Sequence, residues 1–120
     1  MIIKIKNLKL KALIGVYESE RVDKQDIIIN VMMEFYADKA IQYDDINETI
    51  DYDYITKRII KEVEDSQYFL LEKLADNILN IITEDVKIIK ASVEIDKLCA
   101  ITLADSVSII SNFSRHGKNE

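Results

Sequence analysis

The sequence contains no proline and only two glycines, Gly15 and Gly117. Without a glycine-rich loop, it lacks the usual fingerprints of mononucleotide and dinucleotide binding. The single cysteine, Cys99, excludes a disulfide within the chain and fits the reducing cytoplasm, where we expect the protein to be located. The single histidine, His116, excludes a zinc site built from several imidazoles of one chain. It also disfavours a Ser-His-Asp or Cys-His arrangement, so Cys99 is expected to be a buried or half-exposed structural thiol.

Positive charge is also scarce, because 16 lysines and arginines face 22 acidic residues and give a formal net charge of −6. No basic stripe offsets this balance, so nucleic acid is not expected as a partner. No apolar run approaches membrane-spanning length, and the alternating N-terminus is unlike a signal peptide, so no membrane partner is expected. Residues 1–120 are predicted to form a single domain with its own core.

Four segments alternate apolar and polar residues with the period of a half-buried strand. The predicted strands lie at 3–11, with a bulge near Asn7, and at about 26–36, 89–97 and 106–113. Between the second and third strands, one helical pattern follows a cap at Thr49 or Asp51 and ends near Glu64, and another covers about 70–83. The order ββααββ predicts an α+β fold, in which two helices cover one face of a four-stranded antiparallel sheet.

The second helix carries an apolar stripe that is expected to face the core: Leu70, Leu71, Leu74, Ala75, Ile78, Leu79 and Ile82. Glu72 lies off this stripe, in the first turn, where a carboxylate either complements the helix dipole in water or forms the base of a pocket. A small four-stranded sheet leaves its outer strands open, and closure by identical subunits would remove these edges. The sequence therefore predicts a homo-oligomer in the form of a closed barrel. The segment from Ser114 onward is predicted to be a mobile tail.

Four motifs occur in order along the chain: Gly15 followed by Glu20 and Gln25, then Thr49-Ile50-Asp51-Tyr52, Leu70-Leu71-Glu72 and Val93-Glu94-Ile95-Asp96-Lys97. Together they resemble the dihydroneopterin aldolase family of the tunnelling fold, and the resemblance covers residues 2–115. Leu98 stands where aldolases of the family commonly carry proline, which favours the epimerase branch. The segments 37–40, 44–47 and 104–108 support the same branch.

The resemblance implies a toroidal tetramer of joined sheets, two of which stack into an octamer. Active sites would lie between adjacent subunits and bind a small-molecule pterin. Breaking the bond between the first two side-chain carbons of this substrate leaves an electron pair that the ring C=N bond can absorb. No cofactor and no metal is therefore expected. The reaction needs a base to take the hydroxyl proton and an acid to return a proton.

The resemblance also implies roles for individual residues. Glu72 would accept two hydrogen bonds from the pterin ring as a bidentate pair, assisted by the backbone around Leu71. Lys97 would act as the base, or organise it through an ordered water, and would need a lowered pKa or a water relay to do so. Tyr52, from the adjacent subunit, would handle the proton at the hydroxyl or the developing enol. Glu20 would lie near the side-chain hydroxyls.

Taken one at a time, these residues also have structural interpretations. Lys97 could be a surface lysine at a strand end, Tyr52 a packing residue and Glu20 a solvated acid. On residue type alone, Tyr43 and Tyr54 are alternatives to Tyr52. The joint match at family positions favours the functional interpretation. Gln25 is a weaker candidate, as a support for its loop.

The implied function is epimerisation of the side chain of dihydroneopterin triphosphate to the dihydromonapterin form, by retro-aldol cleavage and re-addition. The alternative is a folate-pathway aldolase that releases glycolaldehyde and 6-hydroxymethyl-dihydropterin. A change of about 1.4 kcal/mol in relative barriers alters the partition between the two outcomes tenfold. A non-catalytic pterin-binding ring is a further alternative. A triphosphate calls for a cationic rim, for which the candidates are Lys9, Lys11, Arg21 and Lys24.

Overall fold

The computed structural model describes residues 1–115, so His116 and the rest of the predicted tail lie outside the described range. The strands are β1 (Ile2–Ala12), β2 (Gln25–Phe35), β3 (Ile88–Leu98) and β4 (Ser106–Ser114). The helices are α1 (Asp38–Tyr43), α2 (Tyr52–Asp65) and α3 (Leu71–Ile82), with single 3-10 turns at Glu18–Arg21 and Ile46–Glu48. The predicted α+β class and the ββααββ order of the main elements are confirmed.

The four strands form one antiparallel sheet in the order β1-β2-β3-β4. Ile27 pairs with Leu10 on one side and with Lys97 on the other, and Lys97 pairs with Val107. These four residues therefore form a row across the sheet, close to one end of every strand. Within residues 1–115, β1 and β4 each keep one edge without a strand partner. The ring of subunits, and the choice between tetramer and octamer, stay predictions.

The core lies between one face of the sheet and the two long helices. On β2 the odd-numbered positions from Ile27 to Phe35 are buried, as strand alternation requires. α2 packs against β1, and α3 packs against β3 and β4. Asp51 caps α2, because its carboxylate accepts a hydrogen bond of 3.0 Å from the N–H of Tyr54. None of the helices formed by residues 1–115 has the length and apolar character needed to cross a membrane.

The predicted bulge in β1 is present, at the position expected. The register with β2 shifts between Ile5 and Leu8, and Asn7 has a φ of +54°. The Asn7 N–H donates to Oδ1 of Asn30 (2.9 Å), and Nδ2 of Asn30 donates to Oδ1 of Asn7 (3.3 Å). Because the extra residue resets the alternation, Lys4 and Lys9 both pair with even-numbered residues of β2, whose side chains lie on the face away from the helices.

Two parts of the chain differ from the prediction. The stretch 38–50, in which the sequence shows neither a strand nor a helix pattern, contains α1. This helix buries none of its six residues and therefore has no apolar stripe to reveal it. Ser114 belongs to β4, and the main-chain N–H of Arg115 donates to the carbonyl of Ile89 (2.8 Å). The Arg115 guanidinium also donates to the carbonyls of Ile88 (3.0 Å) and Thr83 (3.2 Å). The predicted mobile tail therefore begins too early.

Candidate active site

One cleft of about 360 Å³, at the end of the sheet, brings together four of the five predicted site residues. Glu20, Leu71, Glu72 and Lys97 all line it. Its other walls come from four sources: residues 14–17, the turn 69–70, Ala100 and the helix-facing side of β4. Tyr52 does not line this cleft. It is the first residue of α2, is exposed and lines a separate cleft.

Lys97 and Glu20 form an ion pair in the lining of the cleft. Lys97 is at the end of β3 and Glu20 is in the 3-10 turn, and the Lys97 ammonium donates to Oε2 of Glu20. Their side chains are only 12% and 16% exposed. The hydrogen bond from Lys97 is the main cause that holds the pKa of Glu20 below its ordinary value. The main-chain N–H of Tyr17 also donates to Oε1 of Glu20 (3.1 Å) and lowers the same pKa further. The cleft thus contains a shielded carboxylate and an ammonium group in direct contact.

The stability of the fold is expected to fall as the pH drops below about 4.5. The pKa of Glu20 is lowered from its ordinary value of 4.5, so the unfolded chain takes up this proton at a higher pH than the folded chain. The contribution of Glu20 is therefore complete above its unfolded pKa and is lost as the pH falls through its lower folded pKa. Urea unfolding at several pH values below 7 would measure the effect. Glu20→Gln should flatten this part of the profile, and identical profiles would contradict the assignment.

Gly15 makes room for the Glu20 carboxylate. The φ of Gly15 is +130°, in the region that side-chain-bearing residues rarely adopt. A Cβ built on Gly15 would overlap the carboxylate of Glu20. The close approach that Gly15 allows is therefore to a side chain of the site itself, the carboxylate of Glu20.

Gly15→Ala is expected to destabilise the protein and to displace Glu20 from Lys97. Strain at this φ costs about 1–3 kcal/mol, and the overlap with Glu20 adds to it. The free energy of unfolding and the rate of turnover should both fall in the variant. In Gly15→Ala/Glu20→Ala the overlap is gone, so part of the stability should return while turnover does not. An alanine variant as stable as the wild type would contradict this account.

Arg21 ties the Glu20 loop to the turn before α3. Its Nη1 donates to the carbonyls of Gly15 (3.2 Å) and Tyr68 (3.1 Å), and Nη2 donates to the carbonyl of Gln67. The guanidinium also stacks on the ring of Phe69, 4.2 Å from its centroid. The sequence offered Arg21 as one candidate for a cationic rim around phosphate. In the structure its guanidinium bonds to main-chain carbonyls and so supports two walls of the cleft.

Glu72 is the second residue of α3, with its side chain exposed to the cleft. Leu70, the N-cap residue, supplies no side-chain hydrogen bond, so the positive end of the helix dipole is open toward this region. Leu70 is 53% exposed and has extended backbone, and Leu71 is half-buried and lines the cleft. The prediction that Leu70 faces the core is therefore wrong, because regular helical periodicity begins only after the cap, whereas Leu71 packs against the edge of the core as predicted.

The remaining candidates contribute little to this cleft. Gln25 donates to the carbonyl of Asp23 (3.5 Å), so it contacts its own loop. The hydroxyl of Tyr54 accepts a hydrogen bond from Arg58 (3.3 Å). Cys99 is exposed at a turn with a φ of +58°, which corrects the prediction of a buried or half-exposed thiol. In the part of the chain that the structure describes, no three His, Cys, Asp or Glu side chains are grouped to hold a metal ion.

A family model described as "FolB: Dihydroneopterin aldolase" matches residues 3–111. The chain is 46% identical over 114 residues to dihydroneopterin triphosphate 2'-epimerase of Escherichia coli (strain K12), with 95% of each chain covered. It is 39% identical over 107 residues to the Pseudomonas aeruginosa protein of the same name, covering 89% of this chain and 87% of that one. The solved structure of Escherichia coli dihydroneopterin aldolase in complex with neopterin has the same fold, with a TM-score of 0.88 at 23% identity, covering 95% of this chain and 99% of that one. The resemblance seen in the sequence is confirmed, and the chain belongs to the dihydroneopterin aldolase family.

Proposed function

We propose that this protein is an isomerase of pteridine metabolism that epimerises the side chain of dihydroneopterin triphosphate to the dihydromonapterin form. The observation that carries the proposal is the shielded pair of Lys97 and Glu20, in one cleft with Glu72. The identity of 46% to an epimerase acting on this substrate supports the same reaction. We expect the enzyme to be cytoplasmic, as its single cysteine suggests.

Glu72 and the backbone around Leu71 bind the pterin ring in this proposal. The ring presents an amino group and an N–H side by side, and one carboxylate can accept both hydrogen bonds. The exposed carboxylate of Glu72 is hydrated before the ligand binds, so it avoids the cost of a buried unpaired charge. The apolar side chains of Val107 and Ile109 give the flat ring a surface on which to pack.

The chemistry begins with removal of the proton from the hydroxyl on the second side-chain carbon. The bond between the first and second side-chain carbons then breaks, and its electron pair moves into the ring C=N bond. An aldehyde fragment and an enol-like pterin result. When the aldehyde rotates and the pterin carbon adds to its other face, the bond re-forms, the oxygen regains a proton and the product is the epimer.

Lys97 organises the base in this scheme. Its ammonium already donates to Glu20, and this contact stabilises both charges. The remaining N–H donors of Lys97 orient a water or the substrate oxygen, and Glu20 accepts the displaced proton. The pair can then return the proton after re-addition, so a single acid–base unit serves both halves of the reaction.

Tyr52 completes the site from a neighbouring subunit. Within one chain, Tyr52 lines a different cleft from the other predicted site residues, as expected if it acts in the site of a neighbouring subunit. The open edges of β1 and β4 would join in the homo-oligomer that this requires. Tyr52→Phe is expected to slow proton transfer and to change the ratio of epimer to cleavage product, measured by chromatography. Unchanged rates and ratio would remove Tyr52 from the site, with Tyr43→Phe as the matched control.

Aldolase activity is the second candidate, favoured by the name of the matching family model. Cleavage is the shared first step, and release of the aldehyde with protonation of the pterin carbon would give glycolaldehyde and 6-hydroxymethyl-dihydropterin. A non-catalytic pterin-binding ring would bind the same ligands without turnover.

A product assay tests the proposal. The purified protein is incubated separately with dihydroneopterin and with its triphosphate, and epimer, 6-hydroxymethyl-dihydropterin and aldehyde are quantified against time. Mainly epimer from the triphosphate is the expected result. Mainly glycolaldehyde and 6-hydroxymethyl-dihydropterin from the unphosphorylated substrate would establish the aldolase instead. Pterin binding without any product would overturn both enzymatic assignments.

A further inference from the structure

A second cleft lies at the same end of the sheet as the candidate active site, along β1 and β2. It encloses about 700 Å³. Three lysines line it, Lys9, Lys11 and Lys24, together with apolar side chains that include Ile28 and Leu98. The sequence offered these lysines as candidates for a cationic rim, and the roles assigned in the candidate active site use none of them.

The lysine cleft, as we call it, carries positive charge that is available to an anion, in a chain whose net charge is −6. Two carboxylates also line it, those of Asp26 and Glu64. Asp26 is already paired with Lys11, with 2.9 Å between Oδ1 and Nζ. Within residues 1–115, Lys9 and Lys24 take part in no ion pair. Two ammonium groups therefore face this cavity against one unpaired carboxylate.

The strand register connects the lysine cleft to the candidate active site. Leu10 and Lys97 both pair with Ile27, from opposite sides. Two strand spacings, about 10 Å, therefore separate Leu10 from Lys97. Lys9 and Lys11 flank Leu10 on β1. The backbone positions of these lysines are therefore close to that of Lys97, and a flexible arm has to cross this separation and also pass from one face of the sheet to the other.

The path of such an arm runs around the end of the sheet. Lys9 alternates with Leu10, so its side chain lies on the face opposite to that of Lys97. Two connections leave the sheet at this end, 13–24 between β1 and β2 and 99–105 between β3 and β4, so the passage lies between them, where β2 begins and β3 ends. Leu98 lines the lysine cleft directly after Lys97, which lines the active-site cleft. Lys24 directly precedes β2, in the loop that also carries Glu20. It therefore lies at the sheet end, where the arm would pass from one face to the other.

We propose that the lysine cleft is a polyphosphate subsite, in which Lys9 and Lys24, with Lys11, bind the triphosphate arm of the substrate. This inference rests on the proposed function, because it takes the pterin to be held at Glu72 and Lys97. Lysine ammonium groups bind phosphate oxygens as mobile point charges, which suits a flexible arm better than a rigid fork would.

A charge-matched pair of double variants tests the subsite. Lys9→Gln/Lys24→Gln removes two charges from the lysine cleft. Lys4→Gln/Lys6→Gln removes two charges from β1 at residues that line another cleft, farther from the sheet end. For the first variant, KM for dihydroneopterin triphosphate should rise at least about tenfold. The KM of the first variant for unphosphorylated dihydroneopterin should change less than about twofold. The same holds for the KM of the second variant for either substrate. An unchanged KM for the triphosphate, or an equal rise for both substrates, would overturn the subsite.

Binding of inorganic triphosphate, measured by calorimetry, separates failure of the subsite from failure of the proposed function. If the wild-type protein gives no epimer from the triphosphate substrate, the proposed function fails, and calorimetry still decides the subsite. Binding to the wild type and to Lys4→Gln/Lys6→Gln, with loss in Lys9→Gln/Lys24→Gln, would support it. No binding to the wild type, or equal binding to all three proteins, would overturn it.

Discussion

Glu72→Ala is expected to abolish measurable pterin binding. The variant loses two hydrogen bonds to a charged acceptor, each contributing about 1.5–3 kcal/mol. Since about 1.4 kcal/mol is tenfold in affinity, the loss should be at least about a hundredfold. Titration of the protein with a fluorescent pterin, followed by intensity, would measure it. Because Glu72 is exposed, the variant should fold normally, and its thermal unfolding should stay close to that of the wild type.

Two controls sharpen this test. Glu72→Gln keeps the shape and one acceptor oxygen but loses the charge, so its affinity should lie between those of the wild type and the alanine variant. Asp76→Ala removes an exposed carboxylate one turn farther along α3 and should leave affinity unchanged. Near-wild-type affinity in Glu72→Ala would move pterin recognition to other residues.

Lys97→Ala is expected to retain pterin binding and to lose turnover by a factor of about 10²–10⁴, the usual contribution of a positioned acid–base group. In the proposal Lys97 acts at the substrate side chain, whereas Glu72 and the backbone around Leu71 bind the ring, so the affinity should change far less than the rate. Single-turnover kinetics with dihydroneopterin triphosphate, alongside a binding titration, would separate the two quantities. Normal turnover in the variant would show that the base lies elsewhere.

Loss of stability is the complication in this experiment. Removing Lys97 leaves the Glu20 carboxylate unpaired while it is only 16% exposed, and breaking such a pair costs up to about 3–5 kcal/mol. Lys97→Met/Glu20→Gln has no unpaired charge and similar side-chain volume, so it should be more stable than Lys97→Ala. If the double variant is stable, binds pterin and fails to turn over, the lost rate reflects chemistry and not unfolding.

The strands and long helices could be predicted because their burial follows a simple period. Residues 27–35 alternate without interruption, and Ile55, Ile59 and Val63 are spaced along one face of α2. α1 could not be predicted in this way, since none of its side chains is buried. Leu70 was assigned to the core because the spacing of apolar residues does not show where the helix begins, and Leu70 is the N-cap residue that precedes α3.

The resemblance to the family identified Glu20, Glu72 and Lys97, and the structure brings them to one cleft. The contacts that support these residues depend on segments distant in sequence, so no local pattern reveals them. Arg21 bonds to carbonyls 46 and 47 residues away, and the ion pair of Lys97 spans 77 residues. Gly15 and Glu20 belong to one motif of the sequence, although their close contact emerged only from the folded chain.

The bulge at Asn7 makes β1 sensitive to chain length in a way that its side chains do not suggest. The extra residue at Asn7 keeps the apolar side chains of both halves of β1 on the same face of the sheet. Deleting this single residue would invert one half, so that Lys4 and Lys6 would turn toward the helices, or the apolar residues of that half toward water. Substitution of Asn7 should be tolerated far better than its deletion, and the N-terminal edge of the sheet is therefore poorly suited to accept insertions or deletions during evolution or engineering.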